Sequence, residues 1–192
     1  MRTSIRFNNM SQCLPARTHR QLMAVIAGVT AAALGYMLAF SLRVFTVSSG
    51  SMSPTFTEGE HIVTITANAE KFFGLTYRRG DVVVLNSRSE HGRALKRVVA
   101  IAGDRAHITH GTLWVNNKTV YEPYAVHDNF FLRSMDEWPS SFNSAGAGVV
   151  DVEVPEGRVI VLGDNRSVSQ DSRVWGAIPV SDIVGKVVCA TP

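Results

Sequence analysis

ALKRVVAIAGD, residues 94 to 104, reads as a β-strand interrupted by charge. Val98, Val99 and Ile101 suit a pleated, half-buried surface, and Gly103 and Asp104 close the run with a turn signal. Successive strand residues alternate faces, so Lys96 and Arg97 point to opposite sides and one of the two cations is directed to the enclosed side. Short β-branched runs recur at HIVTITA (61–67), DVVVLNS (81–87), TLWVN (112–116), RVIVLG (158–163) and DIVGKVV (182–188). Gly-Asp pairs at 80–81, 103–104 and 163–164 and Asn-Asn at 116–117 mark turns. The pattern predicts a mainly β domain. Tyr121 to Gly148 differs: it is aromatic and polar, contains Pro123 and Pro139, ends in SFNSAGAG, and reads as an insertion or surface excursion.

Working outward, 192 residues of which 45% are hydrophobic, with three Trp and nine Phe, suffice to bury a sizeable core. The net charge of +3 misleads, because Arg2, Arg6, Arg17, Arg20 and Arg43 precede the first carboxylate, Glu58. Beyond Arg43 acids outnumber bases by two, so no nucleic-acid partner is expected. Cys13 and Cys189 flank the apolar segment described next and offer no disulfide framework.

LMAVIAGVTAAALGYMLAFSL, Leu22 to Leu42, is 21 residues without a charge, long enough at about 1.5 Å per residue to cross a hydrocarbon core of about 30 Å. A cleavable secretory signal shares the basic start, but its apolar run is usually about 7 to 15 residues. We read a retained transmembrane helix over 22–43. Four arginines precede it and only Arg43 closely follows, so the N-terminus is expected in the cytoplasm and the folded domain on the outer face.

Chemistry is carried by three segments. SSGSMSPTF (48–56) places serines just beyond the span; alone it also reads as an ordinary linker. A serine hydroxyl needs a base within hydrogen-bond reach. None of the histidines beyond the span, at 61, 91, 107, 110 and 127, stands in a recognisable triad setting. Lys96 is the alternative: burial would lower its pKa and leave a neutral amine, although in isolation it also reads as a charge protecting an edge strand. LGDNRSVSQDSRVWG (162–176) gathers carboxylate, hydroxyl and guanidinium groups in one loop, which suits either solvated surface or a shell that orients a catalytic lysine.

In this order after one span, SSGSMSPT, ALKRVVAIAGD and GDNRSVSQDSRVWG resemble the bacterial type I signal peptidases, from the anchor to about Pro179. The resemblance implies an antiparallel β-sheet catalytic domain with a smaller inserted β region. It divides the chain into a cytoplasmic segment (1–21), the transmembrane helix (22–43), a first core part (44–120), a variable insertion (121–155) and a second core part (156–192). It also implies Ser51 as nucleophile and Lys96 as general base, an oxyanion hole from the Ser49 hydroxyl and the Ser51 N–H, Ser169 as orienter of the lysine, and Asp171 and Arg173 as a supporting ion pair. No metal or cofactor is implied. The substrates would be secretory precursors with small residues at the cleavage site, the A-x-A pattern, met at the lipid bilayer of the inner membrane. The sequence departs from the family at Ser167 and Val168, where an acidic or amide residue and then Asn are common. A dedicated peptidase of the same superfamily, maturing a conjugative pilus subunit, would carry the same pair. A tethered binding module without catalysis is the rival from another class.

Overall fold

The computed structural model describes residues 16–72, 74–86, 92–109, 111–126 and 152–191. It divides into two units, residues 1–39 and 40–192. The first consists, among its described residues, of most of helix α1 (Ala16–Ser41). From Leu22 onward the helix carries no charge, and Leu22, Val25, Val29 and Leu34 are each about half exposed or more. An apolar helix with such exposed side chains is compatible with a membrane span. Among the described residues, His19–Met37 is the one helical stretch long and apolar enough, by length and composition, to cross a bilayer.

The second unit holds two antiparallel sheets, as the alternating sequence runs predict. Its strands are β1 (Leu42–Thr46), β2 (His61–Thr66), β3 (Val82–Asn86), β4 (Arg93–Ile101), β5 (Arg105–Thr109), β6 (Thr112–Val115), β7 (Lys118–Thr119), β8 (Val152–Glu153), β9 (Arg158–Leu162), β10 (Ile178–Pro179) and β11 (Ile183–Thr191). The larger sheet has the order β1-β2-β11-β3-β4-β9-β10, the smaller β7-β6-β5-β8. Short helices α2 (Ala67–Phe72) and α3 (Ser172–Trp175) and a 3₁₀ turn at Gly50–Met52 complete the part that positions the site.

Strand β4 is interior, paired with β3 and β9, and its Val98, Val99 and Ala100 are buried. A strand covered on both faces reads as a continuous apolar run, which is the character of residues 98–101. One core, with Val99, Ile160 and Leu162, joins the larger sheet to Ile108, Leu113 and Val152 of the smaller. A second gathers Val83, Leu85, Val98, Val161 and Ile178. A third packs Val47, Met52 and Phe56 on Ile62, Val82 and Val84, and so seats the chain around Ser51.

Two boundaries differ from the sequence reading. Leu42 and Arg43, placed there in the span, start β1, where they pair with Ile65 and Thr64. The smaller sheet begins at Arg105 rather than near 121. The reason is the turn at Gly103 and Asp104: Gly103 takes φ +83°, open to a residue without Cβ, and Asp104 caps the end of β4 by accepting from the N–H of Ile101 at 2.9 Å. The chain thus leaves the larger sheet before β5. Most of the predicted insertion, residues 127–151, lies outside the described residues.

Candidate active site

In β4, Lys96 lies opposite Val83 of β3, while Arg97 lies opposite Val82 of β3 and Leu162 of β9, and successive residues of a strand point to opposite faces. The two cations therefore serve different purposes. Lys96 is 3% exposed, and its Nζ lies 2.8 Å from the Oγ of Ser51. Burial lowers its pKa from 10.5 to about 8; Asp171 and, less, Asp164 oppose that fall, while Arg173 assists it. Because β4 lies inside the sheet, Lys96 is no edge-strand charge.

Ser51 sits in the 3₁₀ turn and is buried, with Met52 fully covered in the third core, so the segment is no free linker. The hydroxyl of Ser49 donates to Ser51 Oγ at 3.3 Å. The Ser51 carbonyl accepts from the N–H of Asn165 at 3.0 Å, which ties the nucleophile segment to the loop after β9.

That loop is tightly satisfied. Asp171, fully buried, accepts from the N–H of Gly163 at 2.9 Å and from Arg173 Nε and Nη2 at 2.9 and 3.0 Å, and it caps α3 by accepting from the Arg173 N–H. A buried carboxylate held by so many donors does not pay the full cost of an uncompensated charge. Arg173 Nη2 also donates to the carbonyls of Arg166 and Ser169. The Asp171–Arg173 pair suggested by the sequence is thus formed. Ser169 is buried, but its Oγ has no hydrogen-bond partner among the described residues, and the bond to Lys96 implied by the resemblance is not made. It lies beside Gly163, where a Cβ would come within 2.1 Å of Ser169 Oγ and 2.6 Å of the Ser51 carbonyl oxygen. Only a glycine leaves room for the approach of these two serines.

Sequence reasoning took in Asp164 and Arg166 with the polar loop but missed their partners. Arg97 grips Asp164 with Nε and Nη2 at 2.9 and 2.6 Å and lies 4.0 Å above the Tyr124 ring. Thr55 Oγ1 donates to Asp164 at 2.6 Å, and Arg166 pairs with Glu122 at 2.7 Å, both side chains buried. The sequence signal was thin: an acid between two aromatics in YEPY, within a stretch otherwise read as surface.

A hydroxyl against a buried amine, with a second hydroxyl beside it and a β scaffold around them, is an arrangement able to carry nucleophilic acyl transfer. Residues 19–191 match the family model described as signal peptidase, peptidase S26. Over 151 residues the chain is 35% identical to signal peptidase IB of Staphylococcus aureus, covering 77% of this chain and 76% of that one. Signal peptidase I U of Bacillus subtilis is 31% identical over 157 residues, 77% of each chain. A signal peptidase I structure from Enterococcus faecalis is similar at 24% identity and a TM-score of 0.44, covering 59% of this chain and 97% of that one. The chain belongs to the signal peptidase family, peptidase S26, and is a serine endopeptidase of the signal peptidase I type.

Proposed function

We propose that the protein removes signal peptides from secretory precursors, with Ser51 as nucleophile and Lys96 as general base, working from a membrane anchored by α1 with its N-terminus in the cytoplasm. The observation that carries the reading is the 2.8 Å approach of a buried amine, its pKa drawn down to about 8, to a serine hydroxyl. At pH 7 an ordinary lysine with pKa 10.5 is neutral in about one molecule in three thousand, whereas at pKa 8 about one in ten is neutral. That change makes a lysine useful as a base at neutral pH.

Neutral Lys96 takes the proton of Ser51 as Oγ attacks the scissile carbonyl. The Ser49 hydroxyl and the Ser51 N–H stabilise the oxyanion, and protonated Lys96 then delivers its proton to the leaving amine. Water, deprotonated by the same amine, hydrolyses the acyl-enzyme. Asp171 and Arg173 hold the loop in place. A cavity of about 170 Å³ beside Ser49, lined by Phe45, Val47, Ile62 and Leu95 with Thr46 and Arg93, is of a size for a small side chain, in keeping with an A-x-A site. Four arginines before the apolar run, against Arg43 alone just after it, support the proposed orientation.

The test is cleavage of a precursor with an A-x-A site by detergent-solubilised protein. Ser51→Ala should leave no turnover, and Lys96→Met should lower kcat by about a hundredfold to ten-thousandfold. Wild-type rates from either folded variant would overturn the dyad.

A further inference from the structure

We infer that Glu122 is a positioning residue for the nucleophile, holding the loop Gly163–Asn165 against the Ser51 backbone through Arg166 and the strap 122–126. The inference rests on the reading of Ser51 as nucleophile.

The chain leaves β9 after Leu162, so residues 163–166 have no sheet ladder to fix them. The strap takes the ladder's place on one side. Val126 N–H donates to the Asp164 carbonyl at 2.8 Å, and the Arg166 N–H donates to the Val126 carbonyl at 3.0 Å. Its side chains reinforce the grip: Glu122 Oε1 accepts from Arg166 Nη2 at 2.7 Å and from the Tyr124 hydroxyl at 2.9 Å, and Tyr124 lies under Arg97. Arg166 carries the contact inward, its Nε donating to the Gly163 carbonyl at 3.0 Å.

On its other side the same loop holds the nucleophile. Asn165 N–H donates to the Ser51 carbonyl, and Asp164 accepts from Thr55, four residues beyond Ser51. Glu122 and Arg166 are 6% and 5% exposed, so losing one leaves the other charged and buried. The loop then relaxes, and with it the Ser51 backbone that carries both the nucleophile and an oxyanion donor. Misplacement of reacting groups by about 1 Å costs up to about a hundredfold in rate. The effect is one of geometry. The leading charges that act on Lys96 are those of Asp171, Arg173 and Asp164.

The experiment measures kcat, KM and the pH profile of kcat/KM on a soluble A-x-A peptide, with the melting temperature, for the full-length protein in detergent. Glu122→Gln is expected to lower kcat by roughly tenfold to a hundredfold with KM within about twofold, and to leave the profile's midpoint where it stands in the wild type. Glu122→Asp, which keeps the charge and withdraws it by one methylene, should fall between and carries the test if the amide variant does not fold. Glu122→Gln combined with Arg166→Met should be no slower than the worse single variant. Arg79→Met, which breaks the Arg79–Asp104 pair elsewhere in the domain, is the control for general destabilisation. Wild-type kcat in both Glu122 variants while Ser51→Ala is inactive overturns the inference alone. So does a midpoint moved with kcat at the plateau unchanged, which would assign Glu122 an electrostatic action on Lys96 alone, or an equal loss of kcat in Arg79→Met at equal melting temperature. Activity in Ser51→Ala removes the underlying reading instead.

Discussion

Between pH 8 and 10.5 the folded chain binds fewer protons at Lys96 than the unfolded chain does, because burial has lowered the folded pKa to about 8. The sign of the linkage follows: stability rises as pH increases through that window, and below about pH 8 the full penalty, on the order of 3 kcal/mol, is present. Denaturant unfolding at pH 7.5 and pH 10 should therefore show wild type gaining stability relative to Lys96→Met, and equal changes in the two would contradict it. The same group should set the acid limb of the kcat/KM profile, with activity rising to a plateau through an apparent pKa near 8. A profile flat from pH 6 to 9 would exclude Lys96 as the base. The alternation of Lys96 and Arg97 was legible in the sequence. Their partners were not, because Ser51 lies 45 residues from Lys96 and Asp164 lies 67 from Arg97.

Among the elements, the turn after β9 carries most of the burden. Gly163 N–H is held by Asp171, its carbonyl by Arg166, and its missing Cβ leaves the space into which Ser169 and the Ser51 carbonyl pack. Gly163→Ala would place a methyl group within 2.6 Å of the Ser51 carbonyl oxygen, so backbone must shift. We expect a loss of about 1 to 3 kcal/mol by chemical denaturation. A fall in kcat of roughly tenfold or more should accompany it even at temperatures where the variant is fully folded. A rate unchanged from wild type would mean that the loop can yield without moving Ser51. The strand β9 was readable from RVIVLG, and the Gly-Asp turn after it as well. The crowding at Gly163 was not, since it depends on two segments that reach it from residues 51 and 169.

For the molecule as a whole, the three hydrophobic clusters found among the described residues lie within residues 40–192, so that unit carries its own core. Removal of residues 1–39 is expected to leave the unfolding midpoint and the cleavage of a soluble peptide within about twofold of the full chain. Cleavage of a precursor held in lipid vesicles should fall by about tenfold or more, because tethering supplies the local concentration of enzyme at the membrane. Equal rates on both substrates would argue against an anchoring role for α1. The sequence alone determined the mainly β class, the long apolar helix with its bias of arginines, and the segments that hold the candidate groups, since periodicity, hydropathy and turn residues are local properties of the chain. Only the tertiary structure decided that β4 is interior to its sheet, that Lys96 is buried against Ser51, that Ser169 Oγ has no hydrogen-bond partner among the described residues, and that Glu122 reaches the loop after β9. Burial, and with it the pKa of an amine, is set by what packs on a residue from distant parts of the chain, and that no local pattern of residues can specify.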